Sequence, residues 1–145
     1  MIPKVTIDTK SRKVLLDLGR HYAKHKKALR LALNEVGSDV VNRISNYIFR
    51  PPKTGRWYTY KGRRYQASAP GESPANRTGR LAKSGGYRVR NYYEMTVFET
   101  APYAGYLEFG TKKMAPRPHV IRAIRANKTQ LIRSIKDNIA KELNL

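Results

Sequence analysis

The stretch LRLALNEVGSDVVNRISNYIF, residues 29–49, decides the main packing element of this chain. Its apolar residues recur at steps of three and four, which places them on one side of an α-helix. They are Leu29, Leu33, Val36, Val40, Ile44 and either Tyr47 or Ile48. The pattern predicts a helix over residues 18–49, which ends at the two prolines that follow Arg50. Gly37 lies inside the pattern and costs about 1 kcal/mol relative to Ala, so a kink or a pair of helices is an alternative there.

A second stripe at helical spacing predicts a helix over residues 119–143. Its members are Val120, Ile124, Leu131, Ile135, Ile139 and Leu143, widened by Ile121 and Ile132. Pro118 suits the start of this helix, where the missing amide donor of proline costs little. Both ends of the chain are therefore expected to be helical, and both helices need a surface on which to pack.

The segments between the two helices have the character of strands. RWYTY and RRYQA, around a Lys-Gly turn, predict an aromatic hairpin over residues 56–67. YRVRN and YEMTVFET predict a second hairpin over residues 86–100, and VTID near the N-terminus predicts a short strand. We therefore expect a single α+β domain over residues 1–145, with long N- and C-terminal helices packed on a small antiparallel β-sheet. Residues 68–77 form its extended central loop.

Charge is the strongest feature of the composition. The chain has 30 Lys and Arg against 10 Asp and Glu, a formal net charge of +20, which favours a polyanionic partner. The absence of cysteine excludes disulfides, thiolate metal sites and a cysteine nucleophile. No apolar run is long enough for a transmembrane helix, and no apolar signal-peptide core begins the chain. We expect a protein that is made and folded inside a cell and has no membrane partner.

The histidines give little sign of catalysis or metal binding. His21 and His25 are four residues apart, a helical spacing that can hold zinc, but no third ligand is evident. Both are interpreted as solvated surface histidines. His119 is interpreted as a packing residue or as part of a helix N-terminus.

The acidic residues form no evident acid–base pair. Glu94, Glu99 and Glu108 are expected on strands, and Glu108 is expected to pair with an arginine. The loop APGESPANRTG lacks the lysine and the preceding apolar strand of a phosphate-binding loop. The sequence therefore predicts no catalytic residue, no cofactor and no metal, and hence not an enzyme.

Two basic segments contain no acidic residue. Residues 50–65 combine six cations with four aromatic residues: Arg50, Lys53, Arg56, Lys61, Arg63 and Arg64 with Trp57, Tyr58, Tyr60 and Tyr65. Residues 112–136 hold a further eight cations. Aromatic rings among cations can stack on nucleic-acid bases or cover a sheet, and both interpretations stay open here. One hypothesis is therefore a nucleic-acid-binding protein that uses Arg56, Arg63 and Arg64 of this hairpin.

The central loop, ASAPGESPANRTGRL over residues 67–81, cannot continue a helix or a central strand. A long loop in a compact domain is usually functional or disordered. We predict that it makes subunit contacts and orders on docking. The contact residues are Ser68, Pro70, Gly71, Glu72, Pro74, Asn76 and Arg77. In the later stretch YAGYLEFGTKKMAPRPHVIRAI, Gly110 predicts a turn that presents Lys112, Lys113 and Arg117 to a partner subunit or to DNA.

These two stretches, in this order, resemble the HK97 gp10-like family of tailed-phage morphogenesis proteins. The resemblance implies a structural virion protein of the neck, a head–tail joining or tail-completion component without catalytic residues. It implies homo-oligomeric rings at the head–tail junction, assembled in the host cytoplasm. The implied partners are further copies of the chain, other neck and tail proteins, and packaged double-stranded DNA. The family commonly has an acidic residue in place of Arg77 and an aromatic residue in place of His119, which implies that His119 fills its position for packing.

Overall fold

The structure, a computed structural model, describes residues 4–6, 22–50 and 52–143, with side chains described for residues 26–50 and 52–141. Within these ranges, a short strand and a long helix are followed by four strands and then three helices. Their order is β1 (Lys4–Thr6), α1 (Tyr22–Phe49), β2 (Trp57–Tyr60), β3 (Arg63–Gln66), β4 (Gly85–Asn91), β5 (Glu94–Glu99), α2 (Ala104–Phe109), α3 (Val120–Ala126) and α4 (Lys128–Leu143).

Helix α1 is one continuous helix of 28 residues, and its predicted apolar stripe is buried. Gly37 does not break it. A Cβ added at Gly37 would lie 2.7 Å from Tyr87 Cε2, so the glycine lets the ring of Tyr87 lie directly against the helix backbone. The start of the predicted helix, residues 18–21, falls outside the described residues. The rest of the prediction for this segment is confirmed.

The three-stranded antiparallel sheet has the order β1-β5-β4, with the β4–β5 hairpin predicted from the sequence. Met95 and Val97, two residues apart on β5, both face the core and are 4% and 0% exposed. Helix α1 packs against β4 and β5, and also against α3 and α4. Helices on a small antiparallel sheet confirm the predicted α+β class.

The C-terminal segment differs from the single helix that the stripe predicts, because it divides at Asn127 into α3 and α4. Asn127 is 1% exposed, and its side-chain amide donates to the carbonyl of Ala123 at 2.8 Å. Asparagine side chains compete with the backbone in this way, which disfavours helix interiors. Ser134 of α4 donates to Glu35 of α1 at 2.7 Å and joins the two helices.

The segment between β3 and β4 is irregular, as predicted, and closes with a turn over residues 80–83. Lys83 N–H donates to the carbonyl of Gly79 at 3.1 Å, and Ser45 of α1 donates to the carbonyl of Ala82 at 2.6 Å. The segment is thus tied to the helix layer before the chain enters β4. None of the helices in the described ranges is long and apolar enough to cross a membrane.

Candidate interaction surface

The β2–β3 hairpin projects its aromatic side chains into solvent. Its four pairs run from Trp57 opposite Gln66 to Tyr60 opposite Arg63. Lys61 and Gly62 turn the chain with φ of 47° and 74°, the left-handed geometry of a two-residue hairpin loop. Trp57 is 57% exposed and Tyr58 is 49% exposed. The aromatic residues do not cover the three-stranded sheet, which removes one of the two interpretations left open by the sequence.

Each of the hairpin rings is in contact with a second ring or with a cation. The Arg64 guanidinium lies 5.2 Å from the centre of the Trp57 ring, and the Arg77 guanidinium lies 4.4 Å from that of Tyr60. Tyr58 and Tyr65 stack with their centroids 5.8 Å apart. These contacts hold Arg64 and Arg77 in place while they remain exposed to solvent.

Hydrogen bonds to the Glu72 side chain hold the central loop in place. The Glu72 carboxylate accepts hydrogen bonds from the Thr54 hydroxyl at 2.5 Å and from the Ala69 N–H at 2.8 Å. The hydrogen bond from Thr54, followed by those from the backbone, lowers the pKa of Glu72. Glu72 therefore closes the loop on itself and on the entrance to the hairpin.

Two cations reach into the loop from the helices' side of the molecule. Lys53 Nζ donates to the carbonyls of Tyr47 and Ser73 at 2.9 and 3.0 Å. Burial lowers the pKa of Lys53, and the charge of Arg122 lowers it further although Glu72 opposes both. Arg122 donates to the carbonyl of Gly71 at 2.9 Å. Lys53 thus joins α1 to the loop, and Arg122 of α3 binds the loop directly, so both cations stabilise the position of the loop.

The predicted loop contacts therefore divide into two groups. Ser68 and Pro74 are buried, while Glu72 and Asn76 are half-buried and bonded within the loop. The exposed side of the loop is formed by Pro70, Gly71 and Arg77.

The fold joins the two sequence blocks that carry the family resemblance. Gly71 N–H donates to the carbonyl of Pro116 at 3.1 Å. The Arg117 guanidinium donates to the carbonyl of Ser68 through Nε at 3.3 Å and through its terminal nitrogen at 3.1 Å. Lys112 and Lys113 lie exposed on the turn, as the sequence predicts, whereas Arg117 is half-buried and bound to the loop.

A buried charged cluster joins β5, α2 and the start of α3. It was not predicted from the sequence. His119 is 0% exposed and lies between two carboxylates. Its Nε2 is 2.9 Å from Glu99 Oε2, and its Nδ1 is 3.0 Å from Glu108 Oε2. Glu108 also accepts the N–H groups of His119, Val120 and Ile121 at 2.8 to 3.0 Å, which are the free donors at the start of α3.

The sequence interpretation of Glu108 is wrong on two points. The residue lies in helix α2 and not on a strand, and its partners are His119 and the N-terminus of α3 and not an arginine. His119 does precede a helix and is buried, as expected. Its ring forms ion pairs in addition to filling space.

The electrostatics of the cluster follow from its geometry. Burial alone would lower the pKa of His119, but the hydrogen bonds to Glu108 and Glu99 outweigh it and raise the pKa to about 9. Burial would raise the pKa of Glu108, but the hydrogen bonds from the His119 ring and three backbone N–H groups lower it to about 2. The cluster is therefore charged at neutral pH. Because both ring nitrogens are bonded and the ring is buried, it has no free nitrogen for acid–base chemistry on a bound molecule.

Metal-binding chemistry has no support in the side chains that the structure describes. Among them, no group of three or more His, Cys, Asp or Glu residues is placed to hold a metal ion. His21 and His25, the pair considered from the sequence, lie outside the residues with described side chains.

Two clefts flank helix α2. One, of about 560 Å³, is lined by most of the residues between Phe98 and Gly110, but not Tyr103 or Leu107, together with Val120. Tyr106 and Phe109 on its wall are 63% and 52% exposed. The other, of about 330 Å³, lies between the central loop, the base of the hairpin and α2. The short helix thus presents an aromatic face with clefts on both sides.

No protein-family model, curated protein or solved structure matches the chain.

Proposed function

We propose that this protein is a structural virion component of a tailed bacteriophage, a neck or tail-completion protein. In this proposal several copies form a ring at the head–tail junction and join the head to the tail. The partners are further copies of the chain and other neck and tail proteins, with packaged DNA passing through the ring. The protein resides in the host cytoplasm before assembly and in the virion afterwards.

One observation carries the proposal most directly: the two blocks that resemble the phage family form a single surface. The loop after β3 and the turn after α2 are joined by the hydrogen bonds of Gly71 and Arg117. The two blocks are remote in sequence, so contacts between neighbouring residues do not explain why both resemble the same family. A common surface does, because a partner subunit would contact both blocks at once.

The exposed aromatic residues also support a role in assembly. Tyr106 and Phe109 of α2 are three residues apart, line the same cleft and are 63% and 52% exposed. Exposed aromatic residues that share one face of a helix are typical of protein interfaces. The buried charged cluster fixes α2 against α3 and so holds this face rigid.

The test is electron microscopy of particles produced by the phage that carries this gene, after deletion of the gene. Separate DNA-filled heads and unattached tails, or tails with a defective upper end, are expected because the joining ring is missing. Complementation with the intact gene should restore joined particles. Normal infectious particles from the deletion strain would refute the proposal.

A further inference from the structure

We propose that the β2–β3 hairpin is a docking ribbon for double-helical DNA, which binds the phosphate backbone along the major groove. This inference goes beyond the proposed function, since it assigns a ligand to the hairpin whether or not the chain belongs to a virion.

Charge selects a polyanion. No acidic residue occurs between residues 50 and 71, and Arg56, Lys61, Arg63, Arg64 and Arg77 are all exposed. A second copy of this chain offers them little opposite charge, because two of its described acids, Glu99 and Glu108, are buried in the cluster with His119. Three of the other described acids, Glu35, Asp39 and Glu72, already accept hydrogen bonds within the chain. The remaining two, Glu94 and Asp137, lie on separate elements.

The ring contacts favour phosphate over bases. Each ring already has one face in contact: Arg64 lies over Trp57, Arg77 lies over Tyr60, and Tyr58 stacks on Tyr65. Base stacking would have to use the remaining faces, whereas phosphate binding uses the cations that these contacts hold. A guanidinium that lies on a ring keeps its N–H edge free, and that edge binds phosphate oxygens in a fork. The rings therefore position cations for a backbone.

The alternation of side chains along the hairpin favours DNA over a lipid surface as the ligand. Trp57 and Arg64 lie on one face of the ribbon, while Tyr58, Tyr60 and Arg63 lie on the other. A membrane-surface element needs its apolar residues on one side. A ribbon with cations on both faces instead suits a groove with phosphates on both walls. The major groove of B-form DNA admits a two-stranded ribbon, whereas that of A-form RNA is too narrow.

The experiment measures binding of the full chain to short duplex DNA by fluorescence anisotropy over a range of salt concentrations. The test variant is Arg56→Gln with Arg63→Gln and Arg64→Gln. The matched control removes three exposed cations of α3 and α4: Arg125→Gln with Arg133→Gln and Lys136→Gln. Each lost phosphate contact should make the slope of log affinity against log salt about 0.9 less negative. We expect a change of about 2 to 3 for the hairpin variant and less than 1 for the control, with both variants retaining the wild-type circular dichroism spectrum.

Three further probes compare the ligand classes: single-stranded DNA, double-stranded RNA of the same sequence, and vesicles of phosphatidylglycerol. Tighter binding to duplex DNA than to all three supports the proposal. Preference for single strands would show base stacking, and preference for vesicles would show a membrane ligand. Either preference, equal slopes for the two variants, or no binding to duplex DNA at low salt would overturn it.

Discussion

The protonation of His119 can be read from its neighbours. Its Nε2 faces the carboxylate of Glu99, and its Nδ1 faces Glu108 and the carbonyl of Arg117 at 3.1 Å. All of these groups are acceptors, so both ring nitrogens must donate and the ring is an imidazolium. A neutral ring would leave one nitrogen lone pair directed at an oxygen.

The first prediction is a pH dependence of stability that follows from this charge. The pKa of His119 is raised from 6.5 to about 9, so the folded chain holds a proton that the unfolded chain releases between these values. The free energy of unfolding should therefore fall above pH 6.5, by at most about 1.4 kcal/mol per pH unit from this group. Glu108 has the opposite sign: its lowered pKa of about 2 adds stability above pH 4.5 that is lost toward pH 2.

Urea unfolding between pH 3 and pH 10 measures both slopes. The variant His21→Gln with His25→Gln is the control, since it removes the other histidines and should keep the alkaline fall. An unfolding free energy that stays level between pH 6.5 and 9 would contradict the assignment of the imidazolium.

The second prediction concerns Glu108. In Glu108→Gln, a neutral amide replaces the carboxylate that accepts three backbone N–H groups and the His119 ring. The buried His119 ring keeps Glu99 but loses one of its two charged partners, and three backbone hydrogen bonds to a carboxylate are weakened, so we expect a loss of about 3 kcal/mol in the free energy of unfolding. Asp137→Asn, an exposed carboxylate-to-amide change on α4, should stay within about 0.5 kcal/mol. Similar values for the two variants would show that the cluster adds little.

At the scale of elements, the third prediction concerns the contact between α1 and β4. Alanine is favoured over glycine in a helix by about 1 kcal/mol, yet Gly37→Ala would place a methyl group against the Tyr87 ring. We expect a net loss of about 1 to 3 kcal/mol from overpacking. The measurement is chemical denaturation, with the exposed Ser38→Ala as the control for helix propensity.

A double-mutant cycle separates packing from propensity in this contact. In a Tyr87→Ala background the ring is gone, so Gly37→Ala should become stabilising by about 1 kcal/mol. The same destabilisation in both backgrounds would mean that the ring contact is not its cause.

The elements themselves were largely predictable, because the burial of a stripe is a local property of the sequence. The periodic residues of α1 and the alternation of Met95 and Val97 identified their elements and their inward faces. The division at Asn127 was not predictable by the same means. The apolar stripe continues on both sides of it, and the break depends on a side-chain hydrogen bond to Ala123.

The candidate surface was predictable only in part, because some of its charged residues have partners that are remote in sequence. The exposed cations of the hairpin and of the turn after α2 were found from composition, because a cation-rich segment without acids has no internal partner nearby. Arg117 and Glu108 were misjudged since their partners are remote: Ser68 lies 49 residues from Arg117, and His119 lies 11 residues from Glu108. Only the assembled fold shows that these charges act inside the molecule.

On the scale of the whole molecule, several acidic residues bind groups of the chain itself, while most of the described basic residues lie on the surface. The acids Glu72, Glu99 and Glu108 bind groups of the chain itself and hold the loop, β5 and α2 in place. Much of the remaining positive charge lies on the hairpin, on the turn after α2, and on α3 and α4. Most of the cations whose side chains the structure describes are thus on the surface, available to a polyanion. The aromatic face of α2 is a different kind of surface, suited to another protein subunit.

The last prediction tests that division. Tyr106→Ser with Phe109→Ser removes the two exposed aromatic rings of α2. Because these side chains add little to the core, the variant should keep its circular dichroism spectrum and its affinity for duplex DNA. If α2 is the subunit contact, the variant should fail to restore joined particles in the deletion strain. Leu31→Ser with Ile132→Ser, which removes two exposed apolar residues of α1 and α4, is the matched control and should restore them. Full complementation by the α2 variant would move the subunit contact elsewhere on the molecule, and failure of both variants would assign the defect to lost stability.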